Sequence, residues 1–463
     1  MLNPYSWIHD LVGNHLPHNP AKKREENIIK ARKHYGKFGR FVRVLGPGVV
    51  TGAADDDPSG IATYSQAGAI YGYGLLWLFP IMFPLLLAVQ ESCARIGAVS
   101  GDGLAALLKR YYSKKLLYSA VALVVIANTV NIGADLAAMS ATMQLLIPSA
   151  PYVGLAIFFA ILCVVMQIFV PYKHYANFLK WLAIVLFAYP VTAFLVGQPW
   201  AEVLKHTIIP DVSINKDTIY IIVGILGTTI SPYLFFWNTS EVVEDEIEAH
   251  RISTSSSDAL PRISKRFIHG VRLDNLVGMT LAAVSAWFIV VACASVLHAN
   301  GITEINTAAD AAAALEPLVR GFPNAGMIAK LLFSVGIIGI GLLAVPVLAG
   351  SSSYAISEAL GIKEGLYRKF RKAHGFYGII GLATLAGLII NFMNINPIQA
   401  LIFTAVFNAV ASVPLLWMIY KVGNNTEIMG EYKNNRWSNA GVMAAFLLMA
   451  AATVVLIYSF MPS

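Results

Sequence analysis

Apolar residues along this chain gather into runs long enough to cross a lipid bilayer, which takes about 20 residues as a helix. Eleven such runs can be drawn, over roughly 44–70, 74–98, 117–147, 152–171, 178–198, 219–240, 273–298, 326–350, 375–394, 397–420 and 438–460. Some interiors hold proline, as at Pro80, Pro84 and Pro346, where neighbouring helices are expected to satisfy the freed carbonyls. Two runs are interrupted more severely. The first contains Ala54-Asp55-Asp56-Asp57-Pro58-Ser59-Gly60. A charged side chain at mid-membrane costs about 2.5–3.5 kcal/mol on insertion scales, so three in a row need a purpose. Pro58 cannot donate a backbone hydrogen bond, and Gly60 tolerates almost any backbone angle. Together they predict a broken helix with free carbonyls beside acidic side chains, a setting that suits a hard or borderline cation. The sixth run contains Gly224-Ile225-Leu226-Gly227-Thr228-Thr229-Ile230-Ser231-Pro232-Tyr233, which predicts a second unwound turn.

If runs one to five and six to ten are two halves, the breaks fall at corresponding positions. Five spans per half also force the halves into opposite orientation. Paired interruptions of this kind point to the binding site of an inverted-repeat transporter. The expected fold class is therefore an all-α polytopic membrane protein of about eleven transmembrane helices. A basic cytosolic arm, 1–43, precedes the first five-helix repeat, 44–198. An extracytoplasmic connection, 199–218, leads to the inverted repeat, 219–420. Residues 421–463 form a cytosolic loop and an eleventh helix outside the repeats. Between runs, Glu241 to Glu248 read as a solvated helix extension followed by a linker, and the alanine-rich stretch Ala308–Ala314 as a short interfacial helix.

Composition sharpens this reading. The 463 residues are 57% hydrophobic and only 13% charged, with mean hydropathy +0.64; a soluble chain carries about 25% charged residues. The formal charge of +7 might suggest nucleic acid as a partner, but its distribution follows topology instead. With the N-terminus in the cytosol, 29 of the 33 Lys and Arg fall on the cytosolic side. That predicts a multi-pass protein of the cell (inner) membrane, N-terminus inside and C-terminus outside, partnered by the lipid bilayer. Lys22 to Arg43 read as an arm near anionic lipid, and the first forty residues lack the apolar core of a cleavable leader. Cys93, Cys163 and Cys293 are far apart in apolar runs and suggest neither disulfides nor structural zinc. No nucleotide-binding motif or soluble catalytic domain is visible, which argues against an enzyme, an ATP-driven pump or a resident cofactor.

Other polar residues lie inside the runs. Asn128, Asn131 and Asp135 share a helix face by three- and four-residue spacing and are candidates for a proton or water path. Glu91 and Arg95 are spaced as a local ion pair and are a candidate gate. Asn394, Asn396 and Asn408 could hydrate a pathway or join helices.

The run Gly46-Pro47-Gly48, Asp57-Pro58-Ser59-Gly60, Ala62-Thr63, Gln66-Ala67-Gly68-Ala69 and Gly72-Tyr73 resembles the first helix of the natural resistance-associated macrophage protein family. Asp135-Leu136-Ala137 resembles its third helix, Gly224-Ile225-Leu226-Gly227 leading to Pro232 its sixth, and Ile428-Met429-Gly430-Glu431 the segment before its last helix. The resemblance implies a divalent metal importer, commonly proton-coupled, built as two inverted five-helix repeats. It implies Asp57 and the Ala54 carbonyl as ligands and Asp135 as a proton carrier. The departures are specific. Gly60 stands for a ligating Asn, Thr228 for Ala, Ser231 for a metal-binding Met, Tyr233 for His and Asn238 for a second His; Ala138 stands where many members are acidic.

Combined, these features predict a secondary transporter, functional as a monomer, importing divalent cations such as Mn2+, Mg2+ or Fe2+. Its site would comprise Asp57, Asp56, Ala54, Thr228, Ser231 and Gly60, with Asp135, Asn131, Tyr233 and Asn238 along a proton or water path. Loss of the sulfur ligand predicts a harder-ion preference, and loss of the histidines weak proton coupling. Two other classes remain open: a cation-coupled symporter of an organic or amine substrate, and a receptor-like relative that no longer transports.

Overall fold

Two prolines set the two helix breaks. The computed structural model describes residues 47–170, 188–248, 265–319, 321, 324–393 and 395–460. Its first helix, α1 (Pro47–Asp55), ends three residues before α2 (Pro58–Tyr71) begins. A proline nitrogen has no hydrogen to offer the carbonyl four residues back, and its ring crowds that carbonyl. For Pro58 that carbonyl belongs to Ala54. The same device recurs between α9 (Lys216–Thr229) and α10 (Pro232–Glu248), where Pro232 frees the carbonyl of Thr228. Both expected interruptions are thus present.

The remaining long helices are α3 (Leu78–Ser100), α5 (Lys114–Leu146), α6 (Tyr152–Phe169), α11 (Lys265–Val296), α14 (Ala325–Leu360), α15 (His374–Ile390), α16 (Pro397–Asn424) and α18 (Arg436–Ser459). Among the described residues, nine helical stretches are long and apolar enough to cross a membrane, with Lys216–Ile247 taken as one. The broken pair α1 and α2 makes a tenth run. The fifth predicted run is described only from α7 (Ala188–Leu195) onward. Among the described residues the long helices therefore match ten of the eleven predicted runs. Shorter pieces lie between them: α4 (Leu104–Tyr111), α8 (Trp200–Ile208), α12 (Ala308–Ala313), α13 (Glu316–Val319) and α17 (Thr426–Met429). Helix α12 is the short helix expected over the alanine-rich stretch, with Thr307 and Asp310 closing a capping box. The basic arm, the linker 249–264 and Asn394 lie outside the described residues.

Two boundaries differ from expectation for identifiable reasons. Pro80 lies in the first turn of α3, after Trp77, where its nitrogen would have had no intrahelical acceptor. Helix α14 runs to Leu360 rather than 350. Its Ser351-Ser352-Ser353 sequence reads as polar, yet all three are buried and donate to the carbonyls of Tyr233, Leu348 and Phe376. The outer face of α6 carries Ile157, Phe158, Ile161 and Val165, all exposed, as a lipid-facing helix requires.

The centre is built by α5 packed along α14, flanked by α16 against α9 and by α11 against α1 and α2. Close approach depends on glycine at the breaks. A Cβ on Gly52 would lie 2.3 Å from the Gly278 carbonyl oxygen of α11, and one on Gly227 only 2.0 Å from that of Ala405 of α16. Gly227→Val is therefore expected to push α9 off α16 and lower stability by about 1–3 kcal/mol. Thermal unfolding in detergent checks this, and an unchanged midpoint would contradict the packing.

Candidate cation site at the paired helix breaks

Asp57 joins α2 to α5 through its carboxylate. As the N-cap of α2 it takes the first free backbone donors of that helix: Oδ1 accepts from the Gly60 amide at 2.8 Å and from the Ser59 hydroxyl at 2.6 Å. Oδ2 accepts from Asn131 Nδ2 of α5 at 2.9 Å. Every partner is neutral. Thr228, at the end of α9, brings Oγ1 to 3.4 Å from Ser59 Oγ. The absence of a side chain at Gly60 leaves room here, since a Cβ would sit 3.1 Å from Thr228 Oγ1 and 3.6 Å from Asp57 Oδ1. Below this level Tyr64 Oη lies 2.9 Å from Thr229 Oγ1, a second tie between α2 and α9.

The two freed carbonyls are treated differently. Tyr233 of α10 donates its hydroxyl to the Ala54 carbonyl at 2.7 Å, so one lone pair of this candidate ligand is already engaged. Ser231 turns its hydroxyl back toward its own break, 2.6 Å from the Thr228 carbonyl and 3.0 Å from that of Gly227. The Ile230 carbonyl accepts from Ser412 of α16 at 2.8 Å. Asp57, Ser59, Gly60, Asn131 and Thr228 thus come together directly, with Ala54 and Tyr233 forming the adjoining pair. Asn238, two turns further along α10, belongs to a separate buried cluster, donating to Gln90 Oε1 at 3.1 Å and Asn275 Oδ1 at 3.0 Å.

The region is acidic and buried. Asp55, Asp56, Asp57 and Asp135 are each at most 2% exposed. Among the described residues none of the four forms an ion pair. One oxygen each of Asp55 and Asp56, and both of Asp135, have no hydrogen-bond partner. No three His, Cys, Asp or Glu side chains converge as a ready metal cluster among the described residues. The donor set at the breaks is instead carboxylate, hydroxyl and carbonyl oxygen.

A cavity of about 310 Å³ reaches the start of α2 at Pro58, walled by Ala62, Ala138, Thr142, Asn306 and Leu401. A second of about 680 Å³ lies between α2, α5, α9 and α16, touching Gln66, Ala134 and Ile221. On α3, Glu91 and Arg95 form the expected pair, Nε to Oε1 at 2.8 Å and Nη2 to Oε2 at 2.9 Å. The pair is part of a larger network. Arg272 of α11 bonds Glu91 at 2.8 Å, while Arg95 donates to the Tyr432 carbonyl at 2.6 Å and to Asn434 at 2.7 Å. Sequence spacing finds the pair; Arg272 and Asn434 are invisible to it because they lie in distant elements. Beyond the end of α14, burial beside Glu358 and Glu244 holds the Glu364 carboxyl well above the usual carboxylate range.

The family model described as natural resistance-associated macrophage protein-like matches residues 48–459. Curated relatives include the divalent metal cation transporter MntH 1 of Pseudomonas aeruginosa, 26% identical over 430 residues, covering 89% of this chain and 91% of the relative. Another is the divalent metal cation transporter MntH of Caldanaerobacter subterraneus subsp. tengcongensis, 26% identical over 442 residues, covering 93% and 95%. Among solved structures, the Eremococcus coleocola manganese transporter superposes with a TM-score of 0.69 at 16% identity, covering 93% of this chain and 90% of that one. MhsT, solved with L-phenylalanine, gives 0.56 at 12% identity and covers 89% and 98%. Both likenesses are of fold. With its match running through both broken spans and on to the last helix, the chain belongs to the natural resistance-associated macrophage protein-like family.

Proposed function

We propose that this chain is a secondary transporter, not an enzyme, that carries divalent metal cations inward across a membrane in which it is a multi-pass protein. The observation that carries the proposal is Asp57: a buried carboxylate at the junction of both breaks, held only by neutral donors. A buried charge without a counter-charge is costly, and a cation delivered to it supplies that counter-charge. The printed names of the curated relatives support a divalent metal as the cargo. In this reading Asp57 ligates, with Asp56, Thr228 and the second lone pair of the Ala54 carbonyl within the same break region. Ser231 and Gly60 shape the site. The repeats are 44–198 and 219–420, the N-terminus is cytosolic, the C-terminus extracytoplasmic, and the monomer suffices.

Selectivity follows from the donor atoms. Carboxylate, hydroxyl and carbonyl oxygen favour harder ions such as Mg2+ over those preferring sulfur or imidazole. Coupling follows from what can titrate. Asn238 and Ala138 cannot, and Tyr233 is committed as a donor to Ala54. Membrane potential alone is a sufficient drive, about 4.6 kcal/mol per 100 mV for a divalent ion.

Asp57→Ala is expected to abolish metal uptake into proteoliposomes. Its lost N-cap costs about 0.5–2 kcal/mol, so Asp57→Asn, which keeps a capping oxygen, should also abolish uptake in a stably folded protein; wild-type uptake in either variant would remove Asp57 from the site. Ser231→Met should move the preference toward Mn2+ and Cd2+ relative to Mg2+, read in competition assays, and an unchanged order would mean that residue 231 does not face the ion. With metal added outside and the potential clamped, an internal pH dye should report little acidification. Stoichiometric acidification that vanishes in Asp135→Asn would restore proton coupling.

A further inference from the structure

The buried centre holds four carboxyl groups, and one divalent ion compensates the charge of two. Asp55, Asp56, Asp57 and Asp135 have no ion-pair partner among the described residues, and a carboxylate buried away from water keeps its charge only beside a compensating one. A divalent cation at the breaks offsets two carboxylate charges, and any further carboxyl group that ionises needs a compensating cation of its own. Asp135 stands apart from the aspartate run, on α5 rather than at the break between α1 and α2, and both its oxygens lack a donor. One turn earlier on the same face, Asn131 donates Nδ2 to Asp57 at 2.9 Å. That bond fixes the orientation of the amide, and its Oδ1 is left buried with no donor. A further turn back, Asn128 repeats the pattern. It donates to the Leu348 carbonyl and to Ser352 Oγ of α14, each at 3.0 Å, while its own Oδ1 is unpartnered.

Side-chain oxygens of one helix face therefore present lone pairs, with no hydrogen donor meeting them. Acceptors left without donors in a buried setting cost about 1–3 kcal/mol each, and several on one stripe are relieved together by a cation. Its charge is set by the local balance. Asp135 contributes a single negative charge, and the amides of Asn131 and Asn128 are neutral. A monovalent ion matches the single carboxylate of this group. The donors are hard oxygens, which suit an alkali cation.

We propose that Asp135 and the Asn131 carbonyl oxygen form a second cation site on α5, for a monovalent alkali ion of the sodium class, beside the divalent site at Asp57. Asn131 is shared: its nitrogen serves the Asp57 carboxylate while its oxygen serves the second ion. Nothing in this assignment depends on which divalent ion is carried.

Equilibrium binding of sodium-22 to the purified wild-type protein tests the site without any variant. Saturable binding of one ion per chain, not displaced by choline, is expected; no saturable binding overturns the proposal. Asp135→Asn is expected to weaken sodium binding about tenfold or more, equivalent to about 1.4 kcal/mol. Thermal unfolding in sodium chloride against choline chloride at equal ionic strength gives a second readout. The wild type is expected to gain stability from sodium and Asp135→Asn to lose that gain. Asp57→Asn, which keeps an oxygen to accept from Asn131, should lose stabilisation by Mg2+ or Mn2+ while keeping that by sodium. Loss of both responses on changing Asp57 alone would mean a single shared site and overturn the second one. Loss of the divalent response throughout, with sodium binding intact, would instead count against the transport function proposed above.

Discussion

The structure turns on what happens to the carbonyl four residues before a proline. In an unbroken helix that oxygen accepts from the backbone. Pro58 and Pro232 withdraw the donor, at Ala54 and at Thr228, in the middle of two apolar runs where water is not available to replace it. Each freed oxygen then has to be met by a side chain or by a ligand. Tyr233 meets the first from the opposite repeat and Ser231 meets the second from within its own break. The Tyr233 bond ties the two interrupted spans to each other, so the geometry of one break is set partly by the other.

The acidic run is arranged around the same discontinuity. Asp57 is simultaneously a helix cap and the point where α5 reaches the break through Asn131. Three neutral donors hold its carboxylate in place without cancelling its charge. This differs from a structural ion pair such as Glu91 with Arg95 and Arg272, where cations in the chain itself complete the balance. Both arrangements are buried, but only one leaves charge for something from outside to compensate.

Hydropathy and proline positions carried most of the fold. Ten of the eleven runs correspond to described helices because lipid-facing and core-facing apolar residues look alike in sequence, and both are needed to cross a bilayer. The same equivalence fails at Ser351-Ser352-Ser353, where three hydroxyls are satisfied by carbonyls and the helix continues ten residues beyond its apolar part. At the site, the aspartate run, Asn131 and Asp135 were legible because charge and amide are conspicuous in an apolar helix. The partnership of Tyr233 with Ala54 was not. Its members are 179 positions apart, and nothing local distinguishes a tyrosine that reaches across a break from one that packs in a core. Arg272 and Asn434 were hidden from the Glu91–Arg95 spacing for the same reason.

Tyr233 also bears on selectivity in a way that ligand counting overlooks. A histidine at this position would offer a nitrogen lone pair or a labile proton. Tyrosine offers a hydroxyl that is here spent on the Ala54 carbonyl, drawing electron density from the oxygen expected to face the ion. What remains of that carbonyl is a weaker donor, which shifts the burden of binding toward the charged Asp57. A site governed by a carboxylate's charge rather than by covalent donation from sulfur or nitrogen ranks ions by charge and size, and ions of equal charge are separated mainly by the cost of stripping their water. Mg2+ gives up water reluctantly and usually keeps several molecules when bound. In the proposed site, the side chain missing at Gly60 and the short hydroxyls of Ser59 and Thr228 would leave polar room beside Asp57 for an ion that retains part of its shell.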